Sequence, residues 1–339
     1  MKLVSYHLDG FQQLALLVDG MLYDTDALHP SLPCMMDIFL ERWDEYYPLA
    51  LECEASVRKG YKAVKAKPYE LADILSPVPH PRSLRDGYAF RDHVEAARLN
   101  RGVGMIKEFD QYPVFYFGNH QSVTGPGDIE CLPDHCRELD FELECAIVIC
   151  RKGRDIPARD ADSYIGGLTV MNDLSARRLQ MEEMLLNLGP AKGKDFATVL
   201  GPCLVTLDEL QSFVVPAKYG HTGNAWNLEM SARVNGVEVS RGNLKDMDWT
   251  FAELIERASY GVTLFPGDII GSGTVGTGCF LELNGTRQRK HAGAPQQWLK
   301  DSDSVELKIK GIGRLENRVR CKATDYSILN RKKQFINAD

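Results

Sequence analysis

The stretch Leu-Asp-Phe-Glu-Leu-Glu-Cys-Ala-Ile-Val-Ile, residues 139–149, places two carboxylates inside an apolar run. Such a run predicts a buried strand, and because strand side chains alternate, Glu142 and Glu144 would project from the same face. Two carboxylates about 6–7 Å apart on a buried face would repel each other by roughly 2–3 kcal/mol at an effective dielectric near 20. A cation bound between them would remove that repulsion. A solvated strand edge is the more common explanation of an isolated Glu-x-Glu pair, so the metal interpretation depends on further residues.

Asp173 is the third candidate ligand. It follows an apolar segment at residues 168–171 and precedes a helical pattern that begins at Ser175. An aspartate at such a junction most often caps the helix. Strand-to-helix junctions also lie at the rim of a sheet, where a pair of strand glutamates can point, and this favours a ligand role. Three carboxylates would form an all-oxygen site that suits Mg²⁺, Mn²⁺ or Ca²⁺ and disfavours zinc.

Three polar residues after this junction are further candidates. Arg177 and Gln180 would share one helical face with Asp173 and could converge on a pocket, although a solvated polar face gives the same pattern. Lys194, in Gly-Lys-Asp-Phe (193–196), could offset anionic charge that develops beside a bound metal. A surface lysine is the simpler interpretation.

The glycine-rich segment Gly-Ser-Gly-Thr-Val-Gly, residues 271–276, matches the Gly-x-Gly-x-x-Gly pattern. It leads into another predicted strand at residues 279–283 rather than a helix, so we exclude a dinucleotide site and expect a loop that approaches a ligand closely. Glu282 lies in that apolar strand and needs a partner, for which an arginine is the simplest choice. His93 and His120 are candidate general bases, although a lone histidine is more often structural.

The composition is that of an ordinary globular protein, with 26% charged and 44% hydrophobic residues among 339. A net charge of −7 without a sustained basic block argues against a nucleic-acid or anionic-membrane surface. No apolar stretch approaches the length of a membrane span, and the first 18 residues do not resemble a signal peptide. We therefore expect a cytoplasmic protein. The nine cysteines are scattered and mostly lie in apolar segments, which favours reduced, buried thiols over a disulfide framework.

Strand and turn patterns dominate from about residue 113 onward, without strict strand–helix alternation. Asp19-Gly20 and Asn235-Gly236, each between apolar segments, predict tight hairpins. Helical patterns cover about residues 35–65 with a break near Pro48, and about residues 91–98, 175–187 and 250–259. Together these patterns predict an α+β fold dominated by strands.

A proline-rich segment, Ser-Pro-Val-Pro-His-Pro at residues 76–81, cannot be helical and marks the best domain boundary. We therefore expect a small N-terminal domain over 1–75, a catalytic domain over 76–325 and a peripheral polar tail over 326–339.

In this order, the motifs resemble the fumarylacetoacetate hydrolase family over about residues 74–321. The matching segments are Leu-Asp-Phe-Glu-Leu-Glu (139–144), Met-Asn-Asp-Leu-Ser-Ala-Arg-Arg-Leu-Gln (171–180), Gly-Lys-Asp-Phe (193–196), Val-Asn-Gly (234–236), Pro-Gly-Asp (266–268), Gly-Ser-Gly-Thr (271–274) and Leu-Glu-Leu (281–283). No single segment is specific, but the ordered set is. The resemblance implies a mixed β-sandwich roll with flanking helices and a smaller leading domain.

The resemblance also implies roles for individual residues. In the family, a divalent cation is bound by two glutamates and an aspartate, which match Glu142, Glu144 and Asp173. The other implied roles are a catalytic lysine at Lys194, substrate-binding residues at Gln180 and Thr274, and a glutamate at Glu282 that orients a catalytic histidine. We add Arg177 and Tyr116 as candidate substrate-binding residues.

The position of the catalytic base is where the chain departs from the family. Fumarylacetoacetase has an Asp-Phe-Tyr segment whose aspartate is a fourth ligand, and its histidine follows five residues after the tyrosine. Matched at Tyr116, this chain has Val114 in place of the aspartate, and His120 falls four residues after the tyrosine. Shorter family members carry a His-x-x-Glu pair on a helix, and at that place this chain has His93 with Ala96 instead of the glutamate.

These residues predict a metal-dependent hydrolase that cleaves a carbon–carbon bond in a β-diketo acid such as an acylpyruvate. His120 or His93 would activate water, while Lys194 and the cation would stabilise the enolate that leaves. An alternative is decarboxylation of oxaloacetate, or hydration, dehydration or isomerisation of a keto acid. A further alternative is a non-catalytic protein that binds metal and small acids. We expect the partners to be a small-molecule keto acid and, as in the family, a second copy in a homodimer.

Overall fold

The computed structural model describes residues 1–60 and 65–333. Over these residues the strands are β1 (Lys2–Leu8), β2 (Phe11–Val18), β3 (Met21–Asp24), β4 (Lys67–Pro68), β5 (Asp73–Ile74), β6 (Leu84–Gly87), β7 (Phe115–Gly118), β8 (Val123–Thr124), β9 (Gly127–Cys131), β10 (Leu139–Asp140), β11 (Leu143–Ile149), β12 (Gly153–Arg154), β13 (Ile165–Asp173), β14 (Ser175–Ala176), β15 (Thr198–Thr206), β16 (Val214–Pro216), β17 (Asn224–Trp226), β18 (Glu229–Val234), β19 (Val237–Asn243), β20 (Thr263–Leu264), β21 (Ile269–Gly271), β22 (Ser304–Ile309) and β23 (Gly313–Cys321). The helices are α1 (Thr25–Leu28), α2 (Met36–Glu41), α3 (Trp43–Arg58), α4 (Arg91–Asn100), α5 (Pro133–Cys136), α6 (Ala158–Ala161), α7 (Arg177–Met184), α8 (Phe251–Ser259) and α9 (Phe280–Lys290).

Most of these strands belong to two sheets. The larger sheet has the order β4-β3-β2-β1-β15-β13-β11-β21-β6-β7, with β5 beside β1 and β8 beside β15. The smaller sheet has the order β19-β18-β22-β23-β9. Helices flank this strand-rich body, and α4 packs against α9. The predicted α+β class dominated by strands is confirmed.

The core extends over both faces of the central strands. Every residue of β11, β13 and β15 is buried, which is why these segments are near-continuous apolar runs in the sequence. A charged side chain in such a strand must find a partner. Glu144 in β11 and Asp173 at the end of β13 are therefore unusual, and they indicate where the chemistry lies.

The strand register brings distant segments to one edge of the large sheet. Antiparallel pairing of β11 with β13 places Glu144 opposite Met171, two residues before Asp173. Strand β11 also pairs with β21, and β21 runs parallel to β6 with Gly271 beside Asp86. The beginning of β11, the end of β13 and strand β6 therefore meet, although they are far apart along the chain.

Both predicted hairpins are confirmed. Asp19 and Gly20 join β2 to β3 with φ angles of 49° and 78°, and Asn235 and Gly236 join β18 to β19 with φ angles of 51° and 79°. Two consecutive left-handed residues are what a tight hairpin turn requires. The helices predicted near residues 91–98, 175–187 and 250–259 are confirmed as α4, α7 and α8.

The predicted helix break near Pro48 is wrong. Helix α3 continues through Pro48, and the interruption between α2 and α3 falls at Arg42. Pro48 lies in the second turn of α3, where its missing N–H deprives only the carbonyl of Asp44 of a helical partner, and Asp44 is exposed to water. Helix α3 ends at Arg58, and residues 61–64 of the predicted helix lie outside the described residues.

The first 75 residues share a sheet with the rest of the chain, because β1 is hydrogen-bonded to β15. Helices α2 and α3 cover this end of the sheet through a buried cluster that includes Phe39, Trp43 and Tyr46. The domain boundaries predicted from the sequence remain predictions. In the described part of the chain, no helix has both the length and the apolarity that a membrane span requires.

Two cysteines depart from the expectation of reduced thiols. Cys136, in α5, and Cys321, at the end of β23, form a disulfide across a sequence separation of 185. The expectation is therefore wrong for this pair, since no short spacing could reveal partners so far apart. Cys145, Cys203 and Cys279 are buried free thiols, as expected.

Candidate active site

Four carboxylates meet at the sheet edge formed by β6, β11 and β13. Glu142 directly precedes β11, Glu144 lies in β11, Asp173 ends β13 and Asp86 lies in β6, and their nearest carboxylate oxygens all lie within 4.8 Å of one another. Each of the four residues is at most 5% exposed. The structure thus brings together the three predicted carboxylates and adds Asp86, which sequence reasoning missed.

Two buried cations hold this cluster in place. Lys194 Nζ donates to Glu142 Oε2 at 2.5 Å and also to Asp173. Arg177 Nη2 donates to Glu142 Oε1 at 2.6 Å, and its Nε donates to Asp140 Oδ2 at 2.9 Å. With Asp140 included, five carboxylates lie around these two cations, so the acidic groups outnumber the basic ones.

The excess of acid shifts the proton equilibria of the cluster. Burial, together with the charge of Asp173, raises the pKa of Asp86 to about 8. Burial and the charges of Asp86 and Glu142 raise the pKa of Glu144 well above its ordinary value. Glu142 behaves in the opposite way: burial acts to raise its pKa, but the charge of Lys194 in particular holds it below its ordinary value. Asp86 therefore retains its proton near neutral pH.

The donor set fits a hard divalent cation. Glu144 Oε2 and Asp173 Oδ1 are buried and have no hydrogen-bond partner among the described residues. Buried polar atoms normally have a partner, and two orphaned carboxylate oxygens in one acidic cluster suit a cation as that partner. An all-oxygen donor set favours Mg²⁺, Mn²⁺ or Ca²⁺ over zinc.

The position of Asp86 identifies a different match in this chain for the Asp-Phe-Tyr segment of fumarylacetoacetase. A match of that segment at Tyr116 puts Val114 in the place of the aspartate. In the structure, Asp86, Tyr88 and His93 line one cavity, and His93 follows Tyr88 by five residues. The spacing of fumarylacetoacetase is therefore met in Asp86-Gly-Tyr88, with glycine in place of phenylalanine. The spacing is present in the sequence, but the middle position holds Gly87 and not phenylalanine, so the segment does not read as Asp-Phe-Tyr.

His93 and Glu282 form a buried pair beside the carboxylates. His93 Nδ1 lies 2.6 Å from Glu282 Oε2, and the backbone N–H of Thr277 donates to Glu282 Oε1 at 2.9 Å. Both side chains are largely buried, with His93 8% and Glu282 5% exposed. Glu282 is thus held at both oxygens and fixes the orientation of the His93 ring.

Glu282 lies in a helix, not in the predicted strand. Helix α9 begins at Phe280 because Asp140 accepts hydrogen bonds from the backbone N–H groups of Phe280 and Leu281, at 2.7 and 2.9 Å. A carboxylate at this position stabilises a helix N-terminus. The apolar run predicted a strand, but a cap from a distant residue decides the structure. The strand on which the exclusion of a dinucleotide site at residues 271–276 rested is therefore absent, and the Asp140 carboxylate occupies this helix N-terminus.

The structure separates the two candidate histidines. His93 lines the cavity above the carboxylate cluster, whereas His120 lies in a short 3-10 turn after β7 and is not among the lining residues. The backbone at His120 is set by Asn119, whose side chain accepts a hydrogen bond from the N–H of Gln121. Of the two, only His93 is therefore positioned beside the carboxylates.

The remaining candidates contact the cluster directly or through Arg177. Tyr116 Oη donates to Asp173 Oδ2 at 2.5 Å, and Thr274 Oγ1 donates to Glu144 Oε1 at 3.1 Å. Gln180 Oε1 accepts from Arg177 Nη1 at 2.9 Å. These residues, with Lys194 and Glu282, surround one cavity of about 640 Å³.

The chain is similar to known proteins both in sequence and in fold. A family model described as Fumarylacetoacetate (FAA) hydrolase C-terminal matches residues 82–320. The chain is 32% identical over 309 residues to the Rattus norvegicus protein named "Oxaloacetate tautomerase Fahd2a, mitochondrial", covering 89% of this chain and 85% of that protein. Its fold matches fumarylacetoacetate hydrolase from psychrophilic Exiguobacterium antarcticum with a TM-score of 0.68 and 24% identity, over 95% of this chain and 100% of that one. Maleylpyruvate hydrolase from Sphingobium sp. SYK-6, in complex with manganese(II) and pyruvate, matches with a TM-score of 0.66 and 20% identity, over 95% and 99% of the two chains. The match to the family model over most of the chain shows that the protein belongs to the fumarylacetoacetate hydrolase family.

Proposed function

We propose that the protein is a divalent-metal-dependent keto-acid isomerase that interconverts the keto and enol forms of a 2-keto acid by proton transfer. The observation that carries this proposal is the buried pair of His93 and Glu282, which opens on the same cavity as the carboxylate cluster. Proton transfer next to a keto group requires a positioned acid–base residue, for which histidine is the most common choice. The name of the rat relative supports the same class of reaction.

Asp86, Glu142, Glu144 and Asp173 would hold the cation. A hard divalent ion bound there would polarise the keto oxygen and so acidify the neighbouring C–H bond. We expect Mg²⁺, with Mn²⁺ or Ca²⁺ as alternatives, because each prefers carboxylate oxygens.

The side chains of this protein would supply the proton transfer and the charge stabilisation. A proton on His93 Nδ1 is directed at Glu282, which leaves Nε2 free. Nε2 would accept the proton from the substrate carbon and return it to the keto oxygen, so that the enol forms without any net gain or loss of protons. Glu282 would act as a positioning residue that stabilises the imidazolium. Lys194 remains protonated: burial opposes its charge, but Asp173 and Glu142 outweigh that effect and raise its pKa above the ordinary value. Lys194 would therefore stabilise negative charge on the substrate.

Hydrolysis of a carbon–carbon bond is the second candidate function. The observation that favours it is the spacing of Asp86, Tyr88 and His93, which equals that of the segment in fumarylacetoacetase. In this reaction His93 would take a proton from water instead of from carbon, with Glu282 in the same positioning role. The rest of the site would act as in the isomerase.

An assay of both reactions tests the proposal. Protein treated with a chelator and reloaded with Mg²⁺ or Mn²⁺ is given oxaloacetate, whose enol is followed by ultraviolet absorbance, and acetylpyruvate, whose cleavage releases pyruvate. We expect metal-dependent keto–enol conversion that His93→Gln slows by at least about a hundredfold. Glu95→Gln, exposed on the same helix, is the matched control and should retain the rate.

The outcomes separate the candidates. Pyruvate release from acetylpyruvate without acceleration of the keto–enol conversion would favour the hydrolase. Absence of any metal-dependent acceleration with either substrate would contradict both. The homodimer and the cytoplasmic location remain predictions, and light scattering of the purified protein would test the first of them.

A further inference from the structure

We propose that the substrate is longer than oxaloacetate: a 2-keto acid whose head binds at the carboxylate cluster and whose apolar body, about 10 Å long, packs against Met181 and Met184 on α7. This inference rests on the proposed function, because it names the substrate class of the same site.

The volume of the cavity is the first argument. It encloses about 640 Å³, and cavities of about 300–1,000 Å³ typically bury ligands of drug size. A four-carbon diacid would fill only a small part of this space and would leave the remainder to water. A cavity of this size therefore suits a larger reactant.

The second argument is the direction in which the cavity runs along helix α7. Arg177, Met181 and Met184 all line it, and their spacing of four and seven residues places them on one face of the helix. Arg177 is buried against Glu142, whereas both methionines are 42% exposed. At a rise of 1.5 Å per residue, Met184 lies about 10 Å along the helix axis from Arg177. The cavity therefore extends from a buried, charged floor to a more exposed part that both methionines line.

Two other helices repeat this arrangement. Helix α4 lines the cavity first with His93, near its start, and then with Ala97 one turn further on. Helix α9 does the same with Glu282 and then Gln288. In α4 and α9, as in α7, the residues of the chemical centre lie near the helix N-terminus and exposure to solvent increases along the helix. Each of the three helices therefore lines the cavity from a buried residue of the chemical centre to a more exposed residue further along the helix.

The chemistry of the outer wall defines the body of the substrate. Met181 and Met184 line the channel on one side, and Val114, Phe115 and Leu281 are further apolar lining residues. Polar groups of Arg101, Gln288 and Gln296 lie in the same lining, so the apolar surface forms part of the wall and not all of it. Burial of apolar surface against such side chains is favourable, and methionine adapts to apolar groups of different shape. We therefore assign the outer channel to an alkyl or aryl substituent on the far side of the keto group from the substrate carboxylate.

A series of acylpyruvates tests this assignment. Acyl groups with methyl, butyl and heptyl chains are compared by kcat/KM for keto–enol conversion and for pyruvate release. We expect the heptyl substrate to exceed the methyl substrate by at least about tenfold, because added CH₂ groups are buried in the channel. The double variant Met181→Gln, Met184→Gln keeps side-chain length and should reduce this ratio to below about threefold. Leu186→Gln is the matched control, since Leu186 is 81% exposed and lies outside the cavity lining, and it should keep the wild-type ratio.

A binding measurement separates this inference from the proposed function. Calorimetry with the Mg²⁺-loaded protein compares 2-oxobutanoate with 2-oxodecanoate, and we expect the longer acid to bind at least about tenfold more tightly. Tighter binding of the longer acid in the absence of turnover would overturn the proposed function and uphold the channel. Two outcomes would overturn the channel alone. One is turnover whose rate and affinity do not depend on chain length. The other is a heptyl-to-methyl ratio of kcat/KM that the double methionine variant leaves unchanged.

Discussion

Replacement of Asp86 by asparagine should stabilise the metal-free protein and destabilise the metal-loaded protein. Asp86 is buried beside Glu144 and Asp173, and the N–H of Gly273 donates to its Oδ1 at 3.0 Å. Asparagine preserves the size of the side chain and the acceptor for Gly273, but it removes one carboxylate. The variant therefore isolates the effect of charge.

The size of the effect follows from the geometry of the cluster. Its carboxylate oxygens lie within 4.8 Å of one another. Two charges at that separation repel by roughly 3 kcal/mol at an effective dielectric near 20. For a chain of 339 residues, with an unfolding entropy of about 2.1 cal/mol/K per residue, 3 kcal/mol corresponds to a change of about 4 °C in Tm.

The pH dependence has a defined sign. Burial and the charge of Asp173 raise the pKa of Asp86 to about 8 in the folded protein, whereas an unfolded aspartate titrates near pH 4, at about 3.9. Between these values the folded state holds a proton that the unfolded chain releases, so the destabilisation grows as the pH rises and is complete above about pH 8. The advantage of the Asp86→Asn variant should therefore be larger at pH 8.5 than at pH 5.

Thermal unfolding followed by circular dichroism tests this prediction in a chelator and in saturating Mn²⁺. In the chelator the variant should melt above the wild type. In Mn²⁺ the order should reverse, because the variant has lost one of four ligands and gains less stability from the ion. A variant that melts below the wild type in chelator, or that Mn²⁺ stabilises as much as the wild type, would refute the assignment of a metal-binding carboxylate cluster.

Three other substitutions have defined outcomes. His120→Ala should keep kcat/KM within about twofold in the oxaloacetate assay, because His120 does not line the cavity. Lys194→Met should lower turnover by at least about tenfold, and an unchanged rate would remove this lysine from the mechanism. Cys136→Ser should lower the free energy of unfolding by about 2–4 kcal/mol in denaturant titrations without reductant, and reduction should then destabilise the wild type but not the variant, which has already lost the bond to Cys321.

Local composition was sufficient to predict much of this protein. The apolar run around Glu142 and Glu144 predicted a buried strand, and the Asn-Gly and Asp-Gly pairs predicted hairpins at positions where the structure has them. The order of the motifs was sufficient for the family, because a series of weak matches in the right sequence is improbable by chance. These features succeed because they depend on residues that are neighbours along the chain.

Other features depend on contacts between segments that are distant in the sequence. Asp86 joins the carboxylates only because β21 lies between β11 and β6 and sets their register. Glu282 lies in a helix because Asp140 caps the helix N-terminus from another part of the chain. His93 lies beside Glu282 because α4 packs against α9, and His120 lies elsewhere; this packing decides between the two histidines. Local pattern could not decide these points, since strand register and tertiary capping are set by the energy of the assembled core and not by the residues on either side.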